Sequence, residues 1–286
     1  MLELLTEPFG FEFLRHTLYA GLFTVVASSL IGTWVVLRGM SFMGDALAHG
    51  VLPGIAVAYI TGGNLLLGGA VSAAVMIGGI TLASSRSRLG EDVSIGLLFV
   101  GMLAAGVAII SKGGSYAGDL TTILFGEPLG VRLSDVRVAG VAAVITLVAT
   151  VLLYRPFLVL AFSRAKAQTL GLRPTLAHFA MLALVAGVVI SSFRTVGTLL
   201  VFALLVAPPA TAALVSRRVP VMMGVAVLVG SAAVVAGLIV SFHAGTATGP
   251  TIAVLAVVTF FVVLAGVEVR DRIARARATS SAVPAT

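Results

Sequence analysis

Runs of about 20 apolar residues recur along the whole of this 286-residue chain. Each run is long enough to cross the hydrocarbon core of a bilayer as one helix. Only 10% of the residues are charged, against about 25% in a typical soluble domain, so polar groups cannot cover a water-exposed surface. Because a backbone in lipid must satisfy its own hydrogen bonds, these uninterrupted runs favour helices. The sequence therefore predicts an all-α, polytopic membrane protein.

We predict about nine membrane-spanning helices, with short connections between them. They cover residues 13–37, 45–60, 64–83, 93–110, 133–153, 176–191, 196–215, 219–241 and 250–268. The Gly-rich connection 111–132 holds a short apolar stretch, Leu120–Phe125, which we expect to be a partial or re-entrant helix on the outer side. The paired glycines Gly68-Gly69 and Gly78-Gly79 are expected to lie where helices pack closely.

The positive charges predict the orientation of the chain. Most of the 18 lysine and arginine residues fall in alternate connections. These hold Arg38; Arg86 and Arg88; Arg155, Arg164, Lys166 and Arg173; Arg217 and Arg218; and Arg270, Arg272, Arg275 and Arg277. Because cytoplasmic loops are enriched in Lys and Arg, we expect the C-terminus in the cytoplasm and the N-terminus outside. Residues 1–268 are then one transmembrane domain, and residues 269–286 a disordered basic cytoplasmic tail.

The composition and the motifs exclude several classes of function. The chain has no cysteine, so disulfide and thiolate chemistry is absent. The net charge of +7 is explained by membrane topology, so we expect membrane lipid and no nucleic acid as a partner. The sequence contains no G-x-x-x-x-G-K-[ST] phosphate loop, no H-E-x-x-H and no G-x-S-x-G. We therefore expect no enzymatic activity and no permanently bound cofactor.

Asp45 and His49 are the charged and titratable residues that most need an explanation. They lie four residues apart in a predicted span, so a helix places both on one face, about 6 Å apart along its axis. An ionisable group in a span is costly and usually faces a cavity or a partner. Carboxylate oxygen and imidazole nitrogen suit Zn²⁺, Mn²⁺ or Fe²⁺. A metal-ion path, a proton relay and a structural Asp–His hydrogen bond near Arg38 are the three interpretations.

Prolines interrupt two of the predicted spans. Pro53 follows His49 closely, between Gly50 and Gly54, and broken spans of this kind free backbone carbonyls at transport sites. Pro208 and Pro209 break the span 196–215 just before Thr211, and a double proline kinks a helix. We expect Pro53, Pro208, Pro209 and Thr211 to lie along a pathway or its gate, with a structural kink favoured over a direct ligand site at the double proline.

The other polar residues have simpler interpretations. His16, His178 and His243 are expected at the membrane interfaces as satisfied side chains. Hydroxyls at Ser28-Ser29, Ser191-Ser192 and Thr195 more often bond within or between helices than line a passage. The longest basic loop, 155–174, contains helix formers from Ser163 to Leu170, then Gly171 as a C-cap and Pro174. It predicts a short helix on the cytoplasmic surface.

Four sequence blocks make the chain similar to a known family. The stretch VVLRGMSFMGDALAHGVLPGIAVAY (35–59) resembles the signature of the membrane subunits of bacterial ABC importers for zinc and manganese. RLGEDVSIGLLF (88–99), LAFSRAKAQTLGL (160–172) and VGTLLVFALLVAPPATA (196–212) match further blocks in the same order, and the resemblance covers about residues 10–268. One departure is the absence of the family's acidic residue within Phe162-Ser163-Arg164.

The resemblance implies a permease subunit in the bacterial cytoplasmic (inner) membrane. It implies a second copy of this chain, cytoplasmic ABC ATPase subunits and an extracytoplasmic metal-binding protein as partners. The family's metal and gating residues map onto Asp45 and His49. Its ATPase-coupling helix maps onto Ser163, Arg164, Ala165, Lys166, Ala167, Gln168, Thr169, Leu170 and Gly171. The expected cargo is Zn²⁺ or Mn²⁺, with Fe²⁺ also compatible.

Two rival functions remain to be weighed against this importer. A proton-coupled secondary metal transporter would use Asp45 and His49 as its relay, but it has no need of a long basic loop to dock an ATPase. A membrane scaffold without transport would make Asp45 dispensable, which is difficult to reconcile with the cost of a carboxylate in a span.

Overall fold

The computed structural model of the chain describes residues 10–86, 91–111 and 131–281, without the side chains of 84–86, 91–92, 164–165, 193–196, 198–199 and 276–281. Within these ranges the regular structure is helical and contains no strand. The helices are α1 (Glu12–Leu37), α2 (Ser41–Gly50), α3 (Leu52–Ile60), α4 (Leu65–Arg86), α5 (Glu91–Ile110), α6 (Leu133–Leu152), α7 (Tyr154–Phe162), α8 (Arg164–Thr169), α9 (Pro174–Val215), α10 (Val219–Ala244) and α11 (Thr248–Ser281).

Eight helical segments of the described chain are long and apolar enough to cross a membrane. One of them, Ser41–Ile60, combines α2 and α3 into a single interrupted span. The ninth predicted span, 196–215, corresponds to the shorter apolar helix Leu200–Val215. The prediction of an all-α, polytopic membrane protein is confirmed. The predicted helix at Leu120–Phe125 lies outside the described residues.

The bundle is arranged around α1, the most buried span. Within its most apolar window 72% of the residues are buried inside the protein, against 17% for α11. The Trp34 ring of α1 packs edge-on against Tyr154 and Phe157 of α7, with ring centroids 5.4 and 5.7 Å apart. Since α11 is as apolar as the other spans but mostly uncovered, its side chains are available to lipid or to another protein.

The first part of α9 runs antiparallel to α1. His178 lies beside Arg38 at the C-terminal end of α1, with 2.6 Å between the imidazole Nδ1 and the guanidinium Nη1. Fourteen residues further along α9, the Ser192 hydroxyl lies 2.9 Å from that of Thr24, about four turns before Arg38 on α1. The segment Pro174–Ser192 therefore leads away from the C-terminal end of α1.

The second part of α9 returns towards that end. Leu205 lies against Gly32, whose added Cβ would be 2.0 Å from the Leu205 carbonyl oxygen. Further along, Ala212 packs in a cluster with Leu37, the last residue of α1. The segment Leu200–Val215 thus runs parallel to α1 and opposite to the first part.

Gly197 lies between these two parts of α9, which are called its first and second legs below. Its backbone has φ 75° and ψ 160°, a conformation that only glycine adopts readily. The chain reverses there without a long loop, so α9 covers two predicted spans. The two legs agree with the predicted boundary between 176–191 and 196–215.

Helix directions bring the basic connections together at one end of the bundle, here called the basic end. It contains Arg38, Arg155, Arg173, Arg217 and Arg270. Helix α6 and the second leg of α9 run parallel to α1, so all three end on this side. Helix α11 packs antiparallel to α10 and therefore returns to the side where α10 begins. These residues share one side, as their charges predict; that this side is cytoplasmic stays a prediction.

The two ends of the described chain lie at opposite ends of the bundle. Phe11, just before α1, stacks on Phe242 near the end of α10, with ring centroids 5.9 Å apart. From there α11 runs back to the basic end and continues to Ser281. The described helix thus includes residues 269–281 of the basic segment expected to be a disordered tail, and the disorder of that segment stays a prediction. Alanine and arginine favour helix, and Arg272 donates to Glu268 one turn earlier, so the helix extends beyond the apolar span.

Candidate metal site

Asp45 and His49 share one face of α2, as their spacing predicts. The His49 Nε2 atom lies 3.5 Å from Asp45 Oδ1. The Asp45 side chain is 26% exposed and that of His49 is 19% exposed, so neither is sealed in the core. An oxygen and a nitrogen ligand thus lie side by side and can be reached from outside the chain.

The span that carries this pair is broken directly after His49. Helix α2 ends at Gly50 and α3 begins at Leu52, with Pro53 in its first turn. Proline has no N–H, so Pro53 cannot donate to the His49 carbonyl four residues earlier. The adjacent Gly50 carbonyl accepts a hydrogen bond from the Ser72 hydroxyl of α4, at 2.8 Å. This hydrogen bond therefore holds the end of α2 against α4. Asp45 and His49 lie on the last two turns of α2.

Phe99 of α5 is the residue next to this pair that sequence reasoning missed. Its ring is edge-on to the His49 imidazole, with centroids 5.5 Å apart, and edge-on to Phe42, at 5.4 Å. The His49 Nδ1 atom is buried and has no hydrogen-bond partner among the described residues. A signal was present, because Phe99 is the last residue of the block 88–99, but nothing local indicated that it faces His49.

The pair offers a cation too few ligands for tight binding. In the part of the chain that the structure describes, no three His, Cys, Asp or Glu residues cluster in a way that could hold a metal. Protein zinc sites commonly use about four ligands, and harder cations use six or more. Asp45 and His49 alone supply two ligands, which suits an ion in transit better than a resident ion.

The second leg of α9 packs beside α2, close to Asp45. The Leu205 side chain lies against Gly44, whose added Cβ would be 2.3 Å from Leu205 Cδ2. The predicted pathway residues of this leg face other helices. Pro209 lies against Gly32 of α1, Pro208 lies against Gly230 of α10, and the buried Thr211 hydroxyl donates to the Ala207 carbonyl one turn earlier, at 2.8 Å.

The predicted coupling segment, 163–171, forms a short helix at the basic end. The Ser163 hydroxyl accepts from the Lys166 backbone N–H at 3.2 Å and caps α8. Gly171 follows with φ 69°, as expected at a helix C-terminus. Ala167 is buried, whereas Phe162 and Leu170 are 75% and 64% exposed. The side chains of residues 164 and 165 lie outside the described part of the chain.

Comparison with known proteins decides the family. The model of the ABC 3 transport family, ABC-3, matches residues 10–266. The chain belongs to the ABC-3 family. This confirms the resemblance drawn from the four sequence blocks, and it identifies a multi-pass protein of a bacterial inner membrane.

Several ABC-3 relatives are similar over nearly their whole length. The manganese transport system membrane protein MntC of Listeria monocytogenes is 35% identical over 88% of this chain and 90% of its own. The chelated iron transport system membrane protein YfeD of Yersinia pestis is 34% identical over 92% of this chain and 89% of its own. The solved structure of PsaBC from Streptococcus pneumoniae in complex with Fab is 28% identical, with a TM-score of 0.83 over 92% of this chain and 95% of that one.

The remaining polar residues of this ABC-3 chain that the sequence singled out have different surroundings. His16 is 4.0 Å from Glu12 on α1, and His243 is exposed at the end of α10. Ser28 and Ser29 are fully buried, and their hydroxyls have no hydrogen-bond partner among the described residues. The Thr195 side chain lies outside the described part.

Proposed function

We propose that this chain is the permease subunit of an ATP-driven importer of a divalent transition metal ion, and that Asp45 and His49 are the ligands that the ion meets within the membrane. One observation carries the proposal. The Asp45 carboxylate and the His49 imidazole lie 3.5 Å apart and are partly exposed, on the first helix of an interrupted span in a chain of the ABC-3 family. Partly exposed ionisable groups in a span mark ion pathways.

Mn²⁺ is the cargo that we propose, with Fe²⁺ as the nearest competitor. Relatives of this chain are named for manganese transport and for chelated iron transport. One oxygen and one nitrogen ligand accept either ion, and they also accept Zn²⁺, which the sequence blocks suggested. Uptake of radioactive Mn²⁺ by cells, in competition with Fe²⁺ and Zn²⁺, ranks the three.

The incomplete ligand set gives the site its role in transport. An ion bound by two protein ligands and by water is released easily, as conduction through a pathway requires. We propose that a second copy of this chain encloses the pathway and that an extracytoplasmic metal-binding protein delivers the ion at the end opposite the basic end. The ion then passes Asp45 and His49 and leaves towards the cytoplasm.

Energy enters at the basic end through α8 in this proposal. Phe162 and Leu170 flank α8 and expose large apolar surfaces beside the basic Lys166. Exposed apolar residues rimmed by polar ones mark protein contacts. A cytoplasmic ABC ATPase bound there would move α8 when ATP closes the ATPase dimer, and the chain itself would supply a pathway and a lever without hydrolysing ATP.

Substitution of the pair tests this function. We expect Asp45→Asn and His49→Ala each to lower the rate of Mn²⁺ uptake by about 100-fold or more, since even residues that only orient a metal ligand contribute about 10- to 100-fold. Membrane insertion and dimer assembly should be unchanged. The measurement is uptake of radioactive Mn²⁺ by cells that express the complete transporter.

The chain offers a matched control for this experiment. Glu12 and His16 form a second carboxylate–imidazole pair four residues apart, on α1, with a separation of 4.0 Å. Glu12→Gln and His16→Ala should leave Mn²⁺ uptake unchanged. Normal uptake in both the Asp45 and the His49 variants would remove the central role of the pair. Mn²⁺ transport by this chain alone in liposomes, driven by a pH gradient without an ATPase, would establish the proton-coupled carrier instead.

A further inference from the structure

Arg38 and His178 form a hydrogen bond across the basic end, between residues 140 positions apart in the chain. The guanidinium Nη1 lies 2.6 Å from His178 Nδ1 and 3.9 Å from the Met181 sulfur. Arginine carries only donors, so His178 Nδ1 must accept and its proton must be on Nε2. Both side chains are partly buried, and hydrogen bonds from a charged donor are stronger than those between neutral groups. The bond therefore fastens the end of α1 to the first turns of α9.

On the α9 side, the connection to the coupling segment is short and stiff. The Leu172 N–H donates to the Ala167 carbonyl at 3.0 Å, which closes the end of α8. Gly171 and Arg173 both have left-handed backbones, with φ of 69° and 41°, and Pro174 begins α9. Few dihedral angles remain free between α8 and His178, one turn into α9. A displacement of α8 therefore displaces His178.

On the α1 side, the connection to the metal site is equally short. The Gly39 N–H donates to Val36 and the Met40 N–H donates to Val35, each at 3.0 Å, so the turn after Arg38 is closed on α1. Helix α2 begins directly afterwards at Ser41. Asp45 lies one turn into α2. Movement of Arg38 therefore moves the start of the helix that carries both candidate ligands.

We propose that the Arg38–His178 hydrogen bond transmits movement from the coupling helix α8 to the ligand-bearing helix α2. The inference rests on the proposed function, because it assigns α8 to the ATPase and Asp45 and His49 to the ion. Neither Arg38 nor His178 contacts the ion in this arrangement. They are positioning residues, and loss of the bond uncouples ATP hydrolysis from transport while the ion ligands and the ATPase stay intact.

The test compares three variants in the complete transporter, purified with its ATPase subunits and reconstituted in liposomes. His178→Ala removes the acceptor, His178→Asn restores an acceptor atom at the same branch position, and His243→Ala removes an exposed histidine at the opposite end of the bundle. The measurement is the number of Mn²⁺ ions imported per ATP hydrolysed, together with Mn²⁺ binding and the thermal unfolding midpoint.

We expect His178→Ala to keep ATP hydrolysis and Mn²⁺ binding but to import at least about fivefold fewer ions per ATP, as expected for the loss of one coupling contact. His178→Asn should recover most of the ratio, and His243→Ala should match the wild type. A wild-type ratio in a stable His178→Ala transporter overturns the inference. The inference is also overturned if ATP hydrolysis, Mn²⁺ binding and the thermal unfolding midpoint all fall in both His178→Ala and His178→Asn, because that result shows a structural role only. If the wild-type complex imports no Mn²⁺ with ATP, the proposed function itself fails.

Discussion

The imidazole of His49, the proposed nitrogen ligand, is oriented by packing, which is unusual for a residue in that role. Histidine ligands commonly donate their second ring N–H to a carboxylate or a carbonyl, and this bond fixes the ring. The His49 Nδ1 atom has no such partner among the described residues, and the ring instead makes an edge-to-face contact with Phe99. Aromatic edge-to-face contacts stabilise an arrangement by about 0.5–1.5 kcal/mol beyond area burial. The Phe99 ring therefore takes part in directing Nε2 towards Asp45.

Removal of this ring should weaken ion binding without abolishing it. We expect Phe99→Ala to raise the Mn²⁺ concentration for half-maximal uptake by about tenfold, the lower range for residues that orient a metal ligand. Phe99→Tyr should have a smaller effect, because the ring remains. Phe261→Ala, at an exposed ring of α11, is the control. An unchanged half-maximal concentration in Phe99→Ala would show that His49 needs no support from Phe99.

The crossing of α3 and α4 depends on two glycines that let the backbones meet. A Cβ added to Gly54 would lie 1.9 Å from the Gly68 carbonyl oxygen, and one added to Gly68 would lie 2.3 Å from the Gly54 carbonyl oxygen. Small residues commonly allow this close approach in membranes, where helices pack without a hydrophobic driving force. Because the obstacle is backbone and not the end of a flexible side chain, relief requires the two helices to separate.

We therefore expect Gly54→Ala to destabilise the protein by about 1–3 kcal/mol, the usual effect of overpacking. The measurement is the thermal unfolding midpoint in detergent. Gly78→Ala is the matched control, since it lies on α4, the other helix of this crossing, and no heavy atom lies within 4 Å of its added Cβ. That variant should be neutral, or stabilised by up to about 1 kcal/mol because alanine favours helix. A Gly54→Ala midpoint equal to that of Gly78→Ala would contradict the close crossing.

The elements that sequence could predict are those set by local patterns. Apolar runs locate the spans, and the four-residue spacing alone places Asp45 and His49 on one face. The mostly polar residues 191–195 separate two apolar runs and give the approximate position of the reversal, but nothing local distinguishes Gly197 from the many other glycines of this chain. Contacts such as Phe99 with His49 and Arg38 with His178 join residues far apart in sequence. Tertiary packing alone decides them, so no periodicity or motif could indicate them.

The orientation of the whole molecule in the membrane is predicted from its charges and can be measured directly. The chain contains no cysteine, so one introduced cysteine is the only thiol. Ala247→Cys lies in the exposed turn at the end opposite the basic end, and Arg217→Cys lies at the basic end. We expect a membrane-impermeant maleimide to label Ala247→Cys in intact cells and Arg217→Cys only after the membrane is opened, since positive loops face the cytoplasm. The unsubstituted chain is the unlabelled control. Labelling of Arg217→Cys but not Ala247→Cys in intact cells would show the opposite orientation.

The break between α2 and α3 also has an electrical consequence. The two helices have 10 and 9 residues, so each covers about half of the roughly 30 Å hydrocarbon layer, and His49 lies near the middle. A doubly charged ion held there has crossed about half of the voltage across the membrane, which corresponds to about 2.3 kcal/mol per 100 mV. With the cell interior negative, occupancy of the proposed site from outside would rise by about 50-fold per 100 mV, so an energised membrane would itself favour loading.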